Sequence, residues 1–200
     1  MTLYLKDATY IDWKTLAFES GHLAVDDGDH GGIRFLEALP PEDDRGPGDR
    51  VLNCSRRLVT KSFGCGHHHI YSALARGMPA PSKIPHNFSE ILQYIWWHLD
   101  KSLDTEMIEA SALVSALYCA KNGVTFVIDH HASPFAIENS LETIANAFDR
   151  VGISHLLCYE ISDRDGDGPK EKGLQETETF LSSGRQGHVG LHASFTVGDD

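Results

Sequence analysis

The sequence predicts an α/β chain in which a small β module precedes a parallel sheet crossed by helices, and three observations carry that reading. Residues 1 to 60 hold short alternating runs separated by Gly, Asp and Pro clusters. From residue 61 onward, apolar runs of strand length alternate with stretches of helical spacing. Polar residues then gather directly after each of those apolar runs, where a parallel sheet of this kind collects its chemistry.

The elements follow in order. "LYLKDATYI", "HLAVDD", "IRFLEAL" and "RVLNC" read as short strands, with "DDGDHGG" and "PPEDDRGPGD" as the turns between them. "LVTKSFGCG" reads as one buried strand. In "NFSEILQYIWWHLDKSL" the residues Phe88, Ile91, Leu92, Ile95, Trp96 and Leu99 share a helical stripe. Asp104 is placed to cap a second helix carrying Met107, Ile108, Leu113, Leu117 and Ala120, which "KNG" closes at Gly123. The strand "VTFVID" comes next, then a helix over 140–151, the strand "ISHLLCY", a helix over 170–183 and the strand "HVGLHAS". An open doubly wound sheet and a (β/α)8 barrel both begin this way. No GxGxxG or Walker glycine loop follows any strand, which counts against a nucleotide-binding sheet.

Composition narrows the partners. With 17 basic against 29 acidic residues the formal net charge is −12 at pH 7, the wrong sign for a nucleic-acid backbone. No apolar run approaches the roughly 20 residues that span a bilayer, and no basic amphipathic stretch suits a membrane surface. Cys54, Cys65, Cys119 and Cys158 form no CxxC pair and lie in or beside apolar segments, so free thiols and a cytoplasmic setting are expected.

The candidate site starts at "GHHHIYSALARG". On an extended backbone His67 and His69 point the same way and His68 points elsewhere, so the outer two can share a cation or form a solvated polar turn. At "DHH" the three residues stand at a strand end, where one can hold loop backbone and another cap the turn before Pro134; Asp129 is expected in such a structural role, and His130 and His131 stay open between it and a functional one. "DRDGDG" places Asp163, Asp165, Asp167 and Gly168 at positions 1, 3, 5 and 6 of a calcium loop, but Leu174 stands where a bidentate Glu is required, so a flexible acidic loop is expected. Arg76 either grips an anionic group or braces its loop through a salt bridge. Trp96 belongs to the core stripe.

Taken together, "GHHHIYSALARG", "KNGVTFVIDHHASP", "VGISHLLCYEISDRDG" and "GLHASFTVGD" resemble the first four barrel strands of the metal-dependent amidohydrolases, the superfamily of cyclic deaminases and chlorohydrolases. The resemblance implies the first half of a (β/α)8 TIM-type barrel over 61–200, truncated after the fourth strand, preceded by a small β-sandwich module over 1–60. It implies that His67 and His69 are metal ligands, with zinc the default ion and iron or manganese alternatives. His192 matches a histidine that contacts substrate in the deaminase branch, and Arg76 and His131 are the other substrate-binding candidates. No catalytic residue is expected in this chain, because the family's third ligand, its acid and its metal-binding Asp lie on later strands. The implied function is hydrolysis of C–N bonds other than peptide bonds on a small-molecule substrate, completed by the remainder of the barrel or a partner chain. A non-catalytic domain that keeps the fold and binds a ligand or partner is the alternative.

Overall fold

A computed structural model describes residues 1–28 and 32–198. Part of the expected "DDGDHGG" turn and the last two residues of "TVGDD" lie outside the described residues. The chain divides into two compact units, Met1–Lys61 and Ser62–Asp200.

The first unit is a five-stranded sheet built around β1 (Thr2–Ile11). β2 (Phe18–Asp26) lies antiparallel to it, and β3 (Ile33–Leu36) lies antiparallel to β2. β4 (Arg50–Asn53) and β5 (Leu58–Val59) both run parallel to β1, taking successive lengths of its second edge. Every described strand of this unit therefore joins one hydrogen-bonded sheet, where the expected sandwich has two. Leu5, Ala8, Tyr10, Leu23 and Cys54 form its small core.

The second unit carries a four-stranded parallel sheet in the order β6-β7-β8-β9. β6 (Phe63–His68) ends in the histidine run, and a 3-10 segment Ile70–Gly77 follows. Together, β5 and β6 replace the one strand expected over "LVTKSFGCG". The next helical stretch is α1 (Phe88–Ile91), a π-helical turn Leu92–Trp96 and α2 (Trp97–Lys101). The Asn87 side chain accepts the Glu90 N–H at its start, an ordinary N-cap.

α3 (Thr105–Lys121) begins as expected, with Asp104 Oδ1 accepting the Met107 N–H at 2.8 Å, and it closes at Gly123, whose φ of +73° suits glycine. Its buried face differs from the expected one. Ile108, Ser111, Ala112, Ser115 and Ala116 turn inward, while Met107 and Leu117 stay 43% and 52% exposed. Four of the five are small, and two are serines, which an apolarity stripe does not register.

β7 (Val124–His131), α4 (Ser140–Val151), β8 (Ser154–Ile161) and α5 (Asp167–Ser182) complete the alternation. The Glu176 carboxylate accepts the backbone N–H groups of Asn139 and Leu141, so α5 caps the start of α4. The core joins Ile108, Val127, Leu141, Ile144, Phe148 and Leu157 between strands and helices. β9 is shorter than "HVGLHAS" suggests, only Gly190–Leu191, with an isolated bridge from Gly187 to Leu157. Glycine is required at both places, because a Cβ would stand 2.6 Å from Cys158 Sγ at Gly190 and 2.7 Å from the Leu157 carbonyl oxygen at Gly187.

Candidate metal-binding site at the strand ends

Period-two alternation decides where each histidine points. On β7 the residues Val127, Asp129 and His131 are buried, while Phe126, Ile128 and His130 alternate with them on the opposite, less covered face. His130 meets two other histidines there: its ring centroid lies 5.5 Å from that of His69, directly after β6, and 5.9 Å from that of His192, which follows β9. His67 and His69 stand 4.8 Å apart by centroids, and His69 and His192 stand 6.4 Å apart. Four imidazoles from three strand ends thus share one region.

Within it, His67 and His69 are the pair suited to a cation. Their Nε2 atoms approach to 3.2 Å, a separation at which both can lie about 2.0–2.1 Å from one ion. His69 Nδ1 is 2.9 Å from the His130 carbonyl oxygen. A carbonyl can only accept, so Nδ1 carries the proton and Nε2 presents its lone pair, the arrangement that orients metal-ligating histidines. Burial, more than any neighbouring charge, holds the His69 pKa below the usual imidazole range and favours this neutral form. The residues present therefore fit a divalent cation. Among the described residues no three His, Cys, Asp or Glu side chains are grouped to hold one; the pair could contribute two donors to a larger set.

The remaining candidates separate. His192 joins the cluster, and its Nδ1 is buried without a hydrogen-bond partner among the described residues. His131 does not. It is 1% exposed, its ring packs against Tyr71 and Tyr159, and Nε2 lies 2.9 Å from Ser133 Oγ. Ser133 donates its own proton to the Ala136 carbonyl, so His131 Nε2–H is the donor and braces the turn around Pro134. The adjacent His130 occupies the exposed position in its place, because neighbouring strand residues face opposite ways. Arg76 is also elsewhere. It stacks over Tyr118 at 5.6 Å and, with Cys65, His68 and Cys119, lines a cavity of about 570 Å³ that none of the four clustered histidines borders.

Asp129 does hold loop backbone: Oδ1 accepts the Ile70 N–H at 2.8 Å. Sequence reasoning missed Arg164. This residue of the "DRDGDG" loop donates Nη2 to Asp100 Oδ2 at 2.7 Å and Nε to Glu160 Oε1 at 3.0 Å, and it stacks over Trp97 at 5.4 Å. Glu160 Oε2 in turn lies 3.7 Å from His130 Nε2. The signal was a lone arginine in an acidic run that ends a strand. Two further charges of the loop are matched too, Asp165 by Lys101 and Asp163 by Lys170.

His131 makes stability pH-dependent. Burial is the largest cause pushing its pKa down to about 3, against 6.5 for an ordinary histidine. Between those values the unfolded chain binds a proton that the folded one does not, so stability falls as pH drops below about 6.5. Lowering the pH from 7 to 5 is expected to remove about 2 kcal/mol through this residue. Denaturant titrations of the wild type and His131→Gln at both pH values measure it, and the variant should lose that share of the pH dependence.

The comparisons with known proteins agree with this architecture. No family model matches the chain. It is 25% identical over 169 residues to the 8-oxoguanine deaminase of Pseudomonas aeruginosa, covering 82% of this chain and 36% of that protein. It superposes on the guanine deaminase of C. acetobutylicum, crystallised with guanine in its active site, with a TM-score of 0.74 and 14% identity, covering 99% of this chain and 48% of the other. The chain has the fold of the amino-terminal part of the amidohydrolases. An atrazine chlorohydrolase of Arthrobacter aurescens, crystallised with zinc and atraton, is a further amidohydrolase neighbour, with a TM-score of 0.68 and 15% identity over 94% of this chain and 45% of the other. The chain thus spans about a third to a half of the length of these amidohydrolases. No helix among the described residues is long and apolar enough to cross a membrane.

Proposed function

We propose that these residues form part of a metal-dependent hydrolase that cleaves C–N bonds other than peptide bonds, of the deaminase or amidohydrolase type. The observation that carries the reading is the His67–His69 pair, with two Nε2 atoms 3.2 Å apart and the second ring oriented by the His130 carbonyl. His67 and His69 would hold a divalent cation there, and such a cation would contribute Lewis-acid chemistry, lowering the pKa of a water and polarising the substrate. Zinc is the ion of choice, supported by the zinc-bound neighbour, and iron or manganese share the same ligand chemistry.

The other tasks fall to this chain's own groups. His192 and His130 border the pair and bind and orient the substrate. Arg164 anchors Asp100 and Glu160 and keeps the strand rim in place beneath them. The relatives named for guanine and 8-oxoguanine support a small nitrogen heterocycle as the substrate class. A catalytic zinc site usually has three protein ligands, so the third ligand and the proton-transferring acid are assigned to the remainder of the barrel or to a partner chain. These 200 residues alone are expected to be inactive.

Metal analysis of the full-length protein tests the reading. The wild type should hold about one equivalent of divalent metal per chain, and His67→Ala with His69→Ala should reduce it to near zero. A protein that binds a small ligand while holding no metal would favour a non-catalytic binding domain instead.

A further inference from the structure

Asp129 is fully buried, and its two oxygens are treated very differently. Oδ1 accepts the Ile70 N–H at 2.8 Å, directly after His69 in the chain, and lies 3.5 Å from His68 Nδ1, long for a hydrogen bond. Oδ2 is buried with no hydrogen-bond partner among the described residues. Burying a carboxylate with one oxygen unsatisfied is unfavourable unless a nearby charge of opposite sign offsets it. Backbone fixation alone does not require an acid here, because an asparagine oxygen accepts the same N–H. Its neighbours point to where the charge is used. The next residue, His130, provides the carbonyl that orients His69, and the Ile70 N–H that Asp129 holds directly follows His69 in the chain.

We infer that Asp129 is a positioning residue for the His67–His69 pair, holding the backbone that follows His69 and supplying the buried negative charge that a cation on those two imidazoles neutralises. The inference rests on the metal-binding reading above. Its ligand is a divalent cation, and its effect acts through His69 and Ile70, without direct coordination.

The experiment is a Zn2+ titration of the full-length protein against a chromophoric chelator, combined with the melting temperature of the metal-free protein. Asp129→Asn keeps the shape and the acceptor for Ile70 and removes the charge. It should weaken metal binding ten- to a hundredfold while leaving the metal-free melting temperature unchanged or raised. A purely structural acid would lower both quantities together, and that result overturns the inference, as does an Asp129→Asn protein that binds Zn2+ as tightly as the wild type. His68→Gln provides a second variant should Asp129→Asn not fold. A nearly unchanged metal-free melting temperature supports the inference, and a large drop identifies His68 as the partner of Asp129 and overturns it. A wild type that takes up no metal would fail differently, removing the metal-binding reading itself and this inference with it.

Discussion

Replacing Arg164 with methionine is expected to destabilise the second unit by about 3–5 kcal/mol, the range found when one partner of a buried ion pair is removed. The guanidinium side chain is 7% exposed, and the carboxylates it holds, Asp100 and Glu160, are 1% and 4% exposed. Burial raises both carboxyls, carrying Asp100 up to about 6, and Arg164 is the main influence pulling them back down. Without it the folded carboxyls retain protons to still higher pH, while the unfolded ones release theirs near 4. The folded state then binds more protons than the unfolded one, so stability falls as pH rises. The loss should therefore be larger at pH 8 than at pH 5. Denaturant titrations at the two pH values check the sign, and exchanging Asp100 and Glu160 for apolar residues of similar volume along with Arg164→Met should recover much of the loss.

Phe148→Ala is expected to have a comparable effect by a different route, again about 3–5 kcal/mol. Phe148 is fully buried on α4, within the core formed with Ile144, Leu141 and Leu157, and its ring meets the edge of His155 at 5.9 Å. Removing it deletes apolar contact and leaves a cavity that helices anchored to a sheet fill only in part. This loss should be nearly the same at pH 8 and pH 5, since no proton is involved. Comparing the two variants across pH separates a packing defect from an electrostatic one.

The alternation of strands and helices was legible because it rests on local chemistry. Asp104 and Gly123 mark the ends of α3, and the helix expected over 140–151 appears as Ser140–Val151. What escaped depends on contacts distant in sequence. Ser111 and Ser115 give no apolar signal, yet they are buried, Ser111 with its hydroxyl donated to the Ile108 carbonyl of its own helix. The stretch from Leu58 to His68 reads as one strand, but Leu58 and Val59 pair with Thr9 and Tyr10, and Phe63 starts the pairing with β7. That His67 and His69 point the same way was legible from alternation, whereas their role as metal ligands rested on the resemblance. His130 and His131 were not separable until the register of β7 was known, since a one-residue shift exchanges their faces. Arg164 was hidden because its partner Asp100 lies 64 residues earlier in the chain.

The π-helical turn Leu92–Trp96 is equivalent to one residue inserted into an α-helix, which advances every later side chain by about 100° around the axis. Trp97 and Asp100, both in contact with Arg164, lie just beyond it. The arginine's partners are therefore set by a phase shift upstream, and a one-residue deletion between Leu92 and Trp96 would rotate both away from it while altering neither.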